Sequence, residues 1–231
     1  DLKYKVLAID ADPDANLASA IGISKDLLKD IKPISEMKEL ISERTGASPG
    51  SFGGMFILNP KVDDLPEKFS IEYKGVKMML LGVVESAGTG CFCPENTLLK
   101  ALLRHLFVAR DEVVIVDMEA GLEHLSRGTT AYVNKFIVVV EPGQRSFQTA
   151  RQIRDLAKEL NIKDVWIVGN KIKSDEDKEL ISKELSDFNI LGYLSYNDKI
   201  IESDKLGMSP YDLSESLKKE ISQIWDNINN L

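Results

Sequence analysis

Five short apolar runs rich in β-branched residues punctuate the sequence, at residues 5–9, 112–116, 136–140, 164–168 and 190–194. None alternates polar with apolar, so each reads as a strand covered on both faces. Two helical patterns separate the last three runs. Residues 144–160 form the first, and residues 174–187 the second, opened by Ser174 as N-cap with acidic residues in its first turn. Strand and helix in alternation predict a doubly wound, mainly parallel α/β sheet with right-handed crossovers and helices on both faces. Residues 69–73 and 76–82 are expected to add an antiparallel edge through the two-residue turn Lys74-Gly75. The Gly- and Ser-rich stretch 46–59 reads as a long surface loop. At 231 residues and 25.7 kDa the chain has room for one such domain, over residues 1–231.

Composition removes several classes. Hydrophobic residues at 43% and charged residues at 29% exclude disorder and fibrous repeats. A net charge of −8, from 29 basic against 37 acidic residues, argues against wholesale binding to nucleic acid. The apolar runs are too short for a membrane span. On the C-terminal helix, expected over 213–230, Leu213, Leu217, Ile221, Ile224 and Ile228 make one stripe. Its other face mixes Glu215, Glu220 and Asp226 with Lys218 and Lys219, which suits core packing better than a membrane surface. The only cysteines, Cys91 and Cys93, are too close to bridge comfortably and read as thiols of a reducing, cytoplasmic compartment.

Two of the strands end in carboxylates, where open α/β sheets bind ligands. The first is IDADPDANL, with Asp10, Asp12 and Asp14 closely spaced. Either these carboxylates face a cation such as phosphate-bound Mg²⁺, or they cap the short helix near residues 15–21. The second is VVIVDMEAG, with Asp117 at the strand end and Gly121 soon after. That is the Walker B arrangement, in which the Asp holds Mg²⁺ through water and the Gly reports a γ-phosphate; a structural strand-end Asp is the plainer alternative. A third strand ends in Gly169-Asn170-Lys171. The Asn170 amide can offer donor and acceptor to an adenine edge while the Lys171 stem covers the ring; a simple turn is the alternative. Glu141-Pro142-Gly143-Gln144 ends another strand and is expected to line a crevice.

Both cysteines lie in GTGCFCPEN, ahead of a Leu-rich helix beginning at Pro94. Thiols at i and i+2 of an open turn can bite one soft metal but leave a tetrahedral ion half-coordinated. A twofold homodimer would supply the second pair. Buried hydrophobic cysteines are the alternative. His105 reads as a helix residue rather than a ligand, and His124 sits just past the Gly121 loop. The sequence contains no GxxxxGK[ST] phosphate loop, and its first strand begins almost at once without a preceding Met.

Together, IDADPDANL, CFCPEN, VIVDMEAGLEHLSRGT and VGNK, in this order over nearly the whole chain, resemble the carbon monoxide dehydrogenase maturation ATPases, the CooC family, of the MinD/ParA/nitrogenase iron protein class. The resemblance implies a Lys-bearing phosphate loop about one helix ahead of the first motif, so the sequence is expected to start after it. It implies Asp12 as the carboxylate that positions the attacking water, Asp10 as support for Mg²⁺, Asp117 as the Walker B Asp, and Gly121 as the second switch. Asn170 would read adenine with Lys171 beside it. Cys91 and Cys93 would bind Zn²⁺ or Ni²⁺ across the homodimer. The implied cofactors are ATP/ADP and Mg²⁺, and the implied activity is ATP-driven delivery of nickel to apo carbon monoxide dehydrogenase or the related acetyl-CoA synthase, with neither nucleic acid nor membrane as partner. An iron–sulfur cluster carrier and a MinD/ParA-type positioning ATPase are the rival readings.

Overall fold

The computed structural model describes residues 4–29, 31–50, 55–82, 93–108, 112–118, 133–162 and 164–230. They fall into two compact units, Asp1–Ala18 with Ile23–Tyr132, and Ser19–Gly22 with Val133–Leu231.

The first unit is built on a four-stranded sheet of β1 (Val6–Asp10), β2 (Ile71–Tyr73), β3 (Val76–Leu80) and β4 (Val113–Asp117), in the order β2-β3-β1-β4. β1 runs parallel to both β3 and β4, in a register that sets Val6 beside Val113 and Asp10 beside Asp117. β2 pairs antiparallel with β3 through Lys74 (φ 49) and Gly75 (φ 79), the two positive-φ residues that a tight hairpin needs. The expected antiparallel edge is therefore present but shorter than residues 69–73. Its first part is instead the helical turn α4 (Leu65–Phe69), where Pro66 sets a helical φ in the first turn. Helices α2 (Lys25–Leu28) and α3 (Lys38–Thr45) precede it and α5 (Pro94–Val108) follows, while of α1 (Leu17–Ile21) the first two residues belong to this unit and the rest to the second.

The core of this unit joins Leu7 and Ile9 of β1, Met79 of β3, Ile41 of α3 and Leu65 of α4 to Leu98, Leu99, Leu102, Leu103 and Leu106 of α5. The Leu-rich helix thus spends its apolar stripe on packing, as its spacing predicts. Between α3 and α4 the Arg44 guanidinium grips both Asp64 oxygens, at 3.1 and 2.8 Å, and Lys68 adds a third contact at 2.7 Å.

The second unit carries an all-parallel sheet of β5 (Phe136–Val140), β6 (Val165–Ile172) and β7 (Asn189–Ser195), in that order. Helices α6 (Gln144–Glu159), α7 (Asp175–Glu184), α8 (Asp198–Leu206), α9 (Pro210–Leu213) and α10 (Glu215–Asn229) complete it. α6 buries Phe147, Ala150, Ile153 and Ala157, one face at helical spacing. α10 lies on β7, with Ile224 against Gly192 and the Asn227 amide donating to the Leu191 carbonyl at 2.7 Å. Its stripe is less complete than the spacing suggests. Leu217 is buried, Leu213, Ile224 and Ile228 are half-buried, and Ile221 is exposed.

The parallel α/β architecture matches the sequence reading; among the described residues the pairing runs β2-β3-β1-β4 in the first unit and β5-β6-β7 in the second. Periodicity identifies strands that are covered on both faces and is silent about which strands pair. Among the described residues β4 pairs only with β1, and β5 only with β6; Ile115 of β4 is 51% exposed and Val139 of β5 58%.

Candidate functional site

Asp10 ends β1 with its side chain only 1% exposed. Its two oxygens accept the backbone N–H groups of Asp12, at 3.2 Å, and of Leu17, at 3.0 Å, so the carboxylate closes the turn that leads into α1. Asp12 in turn accepts the Asp14 N–H at 2.8 Å, and Ala15 adopts a left-handed φ of 47 to complete the tight exit. The capping role weighed from the sequence is thus present at Asp10, while Asp12 is half-buried and Asp14 exposed.

Electrostatically this strand end is strained. Burial pushes the Asp10 carboxyl above the usual carboxylate range, its two N–H bonds pull it back down, and the Asp12 charge adds to the rise. Asp117 keeps an open face, yet the protein packed around the end of β4 raises its pKa, and the Asp10 and Asp12 charges push the same way. Among the described residues the charges that act on it are negative, Asp10 and Asp12. A divalent cation is the chemistry that would relieve the repulsion, and hard carboxylate oxygens suit Mg²⁺. Among the described residues no three His, Cys, Asp or Glu side chains converge closely enough to encircle a metal ion. The fit is therefore to Mg²⁺ held through one or two carboxylates, with water and substrate phosphate completing its shell.

A cavity of about 410 Å³ opens at the carboxyl ends of β1 and β3, lined by Asp10, Asp12, Pro13, Ala15, Pro33, Ser35, Glu36, Leu80, Gly82 and Glu95. Glu36 and Glu95 make this wall more acidic than the strand motifs alone suggested. Glu95 accepts the Gly50 N–H at 2.6 Å through Oε1, while its Oε2 is buried with no hydrogen-bond partner among the described residues. Sequence reasoning missed both glutamates because an acid in the first turn of a helix reads as a response to the helix dipole.

Asn170 and Lys171 belong to the second unit and lie within β6 rather than in a turn after it. The strand runs to Ile172, and its register against β7 slips between Gly169 and Ile172, which lifts both residues out of the ladder. Lys171 adopts a φ of 57; Asn170 Oδ1 accepts the Lys171 N–H at 2.9 Å, and Lys171 Nζ pairs with Glu141 at 2.6 Å. Next in the chain, Asp177 accepts the Lys173 N–H at 2.8 Å, and Lys173 Nζ stands 4.8 Å from the centre of the Tyr196 ring. A second cavity, of about 440 Å³, follows β5 and is lined by Glu141, Pro142, Gly143 and Gln144 with Val139, Arg145 and Ser146.

Cys93 is 5% exposed, at the head of α5, where its carbonyl accepts the Thr97 N–H at 3.1 Å. The sequence suggested an open turn; the residue is instead buried at the start of the Leu-rich helix. His105 is half-buried on α5. Cys91, Gly121 and His124 lie outside the described residues. Among the described residues no helix is long and apolar enough to cross a membrane.

The model of the CobQ/CobB/MinD/ParA nucleotide binding domain matches residues 1–211. Carbon monoxide dehydrogenase accessory protein CooC of Rhodospirillum rubrum is 48% identical over 218 residues, which cover 94% of this chain and 82% of that protein. An uncharacterised ATP-binding protein of Methanocaldococcus jannaschii is 41% identical, over 97% of this chain and 86% of its own length. Among solved structures, the cell division protein MinD of Aquifex aeolicus has a TM-score of 0.64 at 20% identity, covering 99% of this chain and 84% of that one. A ParA family ATPase of Chlorobium tepidum has a TM-score of 0.66 at 15% identity, covering 100% and 88%. These two establish likeness of fold. An enzyme of the nucleotide-hydrolysing class, as the strand-end motifs suggested, stands with that family and those relatives. The chain belongs to the CobQ/CobB/MinD/ParA nucleotide-binding family, with the carbon monoxide dehydrogenase accessory protein CooC among its relatives.

Proposed function

We propose that the protein is an ATP-dependent metallochaperone, working as one nucleotide-binding domain over residues 1–231, that delivers nickel to carbon monoxide dehydrogenase or to the related acetyl-CoA synthase. The observation that carries the ATP chemistry is the side-by-side placement of Asp10 and Asp117 at the carboxyl ends of parallel strands, with Asp12 facing the adjoining cavity. The 48% identity to CooC carries the client.

In this reading Asp12 orients the water that attacks the γ-phosphorus, while the bond to the bridging oxygen breaks and ADP leaves. Asp117, supported by Asp10, would hold Mg²⁺, which would supply positive charge beside the phosphates. Asp10 stays on its two backbone N–H groups throughout, so its part is to fix the turn that aims Asp12. Gly121 reports the γ-phosphate, and Asn170 reads adenine beside Lys171. Cys91 and Cys93 of two copies hold the cargo, Ni²⁺ or Zn²⁺, in a four-thiolate site that ATP-dependent dimerisation completes. Hydrolysis loosens the dimer and surrenders the ion to the apo-enzyme.

The test uses protein made in its own host. ATPase activity should vanish in Asp12→Ala while the fold is retained, and metal binding should be lost in Cys91→Ser and in Cys93→Ser. Activation of apo carbon monoxide dehydrogenase by nickel should require both. Metal binding that survives both cysteine changes would sink the shared thiolate site, and a brown chromophore after anaerobic purification would favour an iron–sulfur cargo instead.

A further inference from the structure

The end of β6 is held in a shape that a lysine resists. Lys171 has a φ of 57, a region that residues with a Cβ avoid, and the strand register slips around it. Two contacts offset that cost. The Lys171 N–H is donated to Asn170 Oδ1 at 2.9 Å, and Lys171 Nζ reaches Glu141 Oε1 at 2.6 Å. Glu141 follows β5 directly, and its own N–H is donated to Ser146 Oγ at 3.0 Å, in the first turn of α6.

The first contact decides which way the Asn170 amide faces. Only the oxygen of a carboxamide can accept an N–H, so Oδ1 must point at Lys171 and the NH₂ group must point away from it. One oxygen lone pair remains. An outward NH₂ with one acceptor beside it matches the edge that adenine presents through N7 and its 6-amino group. That presentation lasts only while Lys171 keeps its left-handed backbone, and the ion pair to Glu141 anchors Lys171 from the neighbouring strand.

We propose that Glu141, acting through Lys171, is a positioning residue that holds the Asn170 amide with its NH₂ toward the N7 nitrogen of the nucleotide's adenine. This rests on the reading of Asn170 as the base reader given above. Glu141 touches no base itself; it lines the cavity beside β5 and acts on Asn170 at one remove.

Steady-state ATPase kinetics test it, with ATP and with 7-deaza-ATP, in which N7 is replaced by C–H. Wild type should prefer ATP by about tenfold in KM, the worth of one good amide contact to a base. Glu141→Gln should raise KM for ATP by about two- to fivefold, the range of an exposed ion pair, and narrow the preference over 7-deaza-ATP while kcat holds. Glu141→Asp, which keeps a carboxylate for Lys171 Nζ, should recover most of the KM and of the preference. If Asn170→Ala weakens ATP binding but Glu141→Gln leaves KM and preference at wild-type values, the positioning role is overturned and the base reading stands. A general loss of stability would raise KM for both nucleotides alike with the preference intact, and would also overturn it. An Asn170→Ala variant with wild-type KM for both nucleotides overturns the base reading and this inference with it.

Discussion

Gly169 precedes Asn170 in β6, and its missing side chain is what lets the strand lie against Tyr193. A Cβ at that position would stand 2.5 Å from Tyr193 Cδ1, 3.0 Å from Cε1 and 3.1 Å from Ile181 Cδ1. Carbon atoms prefer a separation of about 3.5–4.0 Å, so in Gly169→Ala the ring must retreat by roughly 1 Å. It is not free to do so without loss, because the Tyr193 hydroxyl shares a 2.8 Å hydrogen bond with Ser182 Oγ on α7. Overpacking costs about 1–3 kcal/mol and the strained hydrogen bond about 0.5–1.5 kcal/mol more, so a total of about 2–3 kcal/mol is the central expectation. In a chain of this size that lowers Tm by roughly 4–12 °C. Thermal unfolding of a double-mutant cycle isolates the cause. With Tyr193→Ala in the background the added methyl meets no ring, so the cost of Gly169→Ala should shrink by at least about 1 kcal/mol. A Gly169→Ala variant within about 1 °C of wild type, or a strictly additive cycle, would refute the packing argument.

Three further outcomes follow from the same geometry. Asp117 carries a raised pKa, and an acid of that kind loses stability as pH rises through its folded value. Asp117→Asn does not titrate, so its Tm should gain on that of wild type between pH 4 and pH 7 while its ATPase activity is lost; a wild type that gains on the variant over that interval would contradict the burial and repulsion described here. Asp64 behaves in the opposite sense, since contacts from Lys68 and Arg44 hold its carboxyl well below the usual range. The advantage of wild type over Asp64→Asn should be present at pH 7 and disappear as pH falls below about 4, with high salt weakening it; an advantage that grows in acid would be the wrong sign. On the far side of the second unit, a Cβ at Gly192 would stand 2.7 Å from Ile224 Cγ1. Gly192→Ala should therefore cost about 1–3 kcal/mol in chemical denaturation, and Ile224→Ala should absorb part of that cost if α10 lies where it is described.

How much of this was legible in the sequence depends on the range over which each signal acts. The strand Phe136–Val140 and the helix from Gln144 are set by local pattern and stand where periodicity puts them. Lys74-Gly75 forms its hairpin because both residues tolerate a positive φ. The same local logic failed where a neighbour overrode it. Pro66 turned the approach to β2 into a helical turn, and a lysine adopted the left-handed backbone at position 171 because Asn170 and Glu141 hold it there. No propensity scale assigns that shape to Lys. Glu95 was hidden for a different reason. Its role depends on the Gly50 N–H, 45 residues away in the chain, and on a cavity wall whose other members come from β1, β3 and the turn at Ile34–Glu36.

The strand-end carboxylates join these two scales. The motif IDADPD predicts a charged cluster, but only the fold determines how its members divide the work. Asp10 is buried and satisfied by two backbone N–H groups, so it is committed before any ligand arrives. Asp12 faces the cavity, and Asp117, in register with Asp10 on the next strand, is acted on by the negative charges of Asp10 and Asp12. Asp10 and Asp117, where they stay ionised, do so against burial and repulsion, a cost the folded chain carries in the absence of a cation. A ligand that brings positive charge removes that cost, and the relief adds to its affinity because it is available only in the folded state. In the function proposed above, the repulsion that makes this corner of the sheet locally unfavourable is the source of its preference for a divalent ion. Replacing Asp117 by a neutral residue would ease the fold and forfeit the selectivity together.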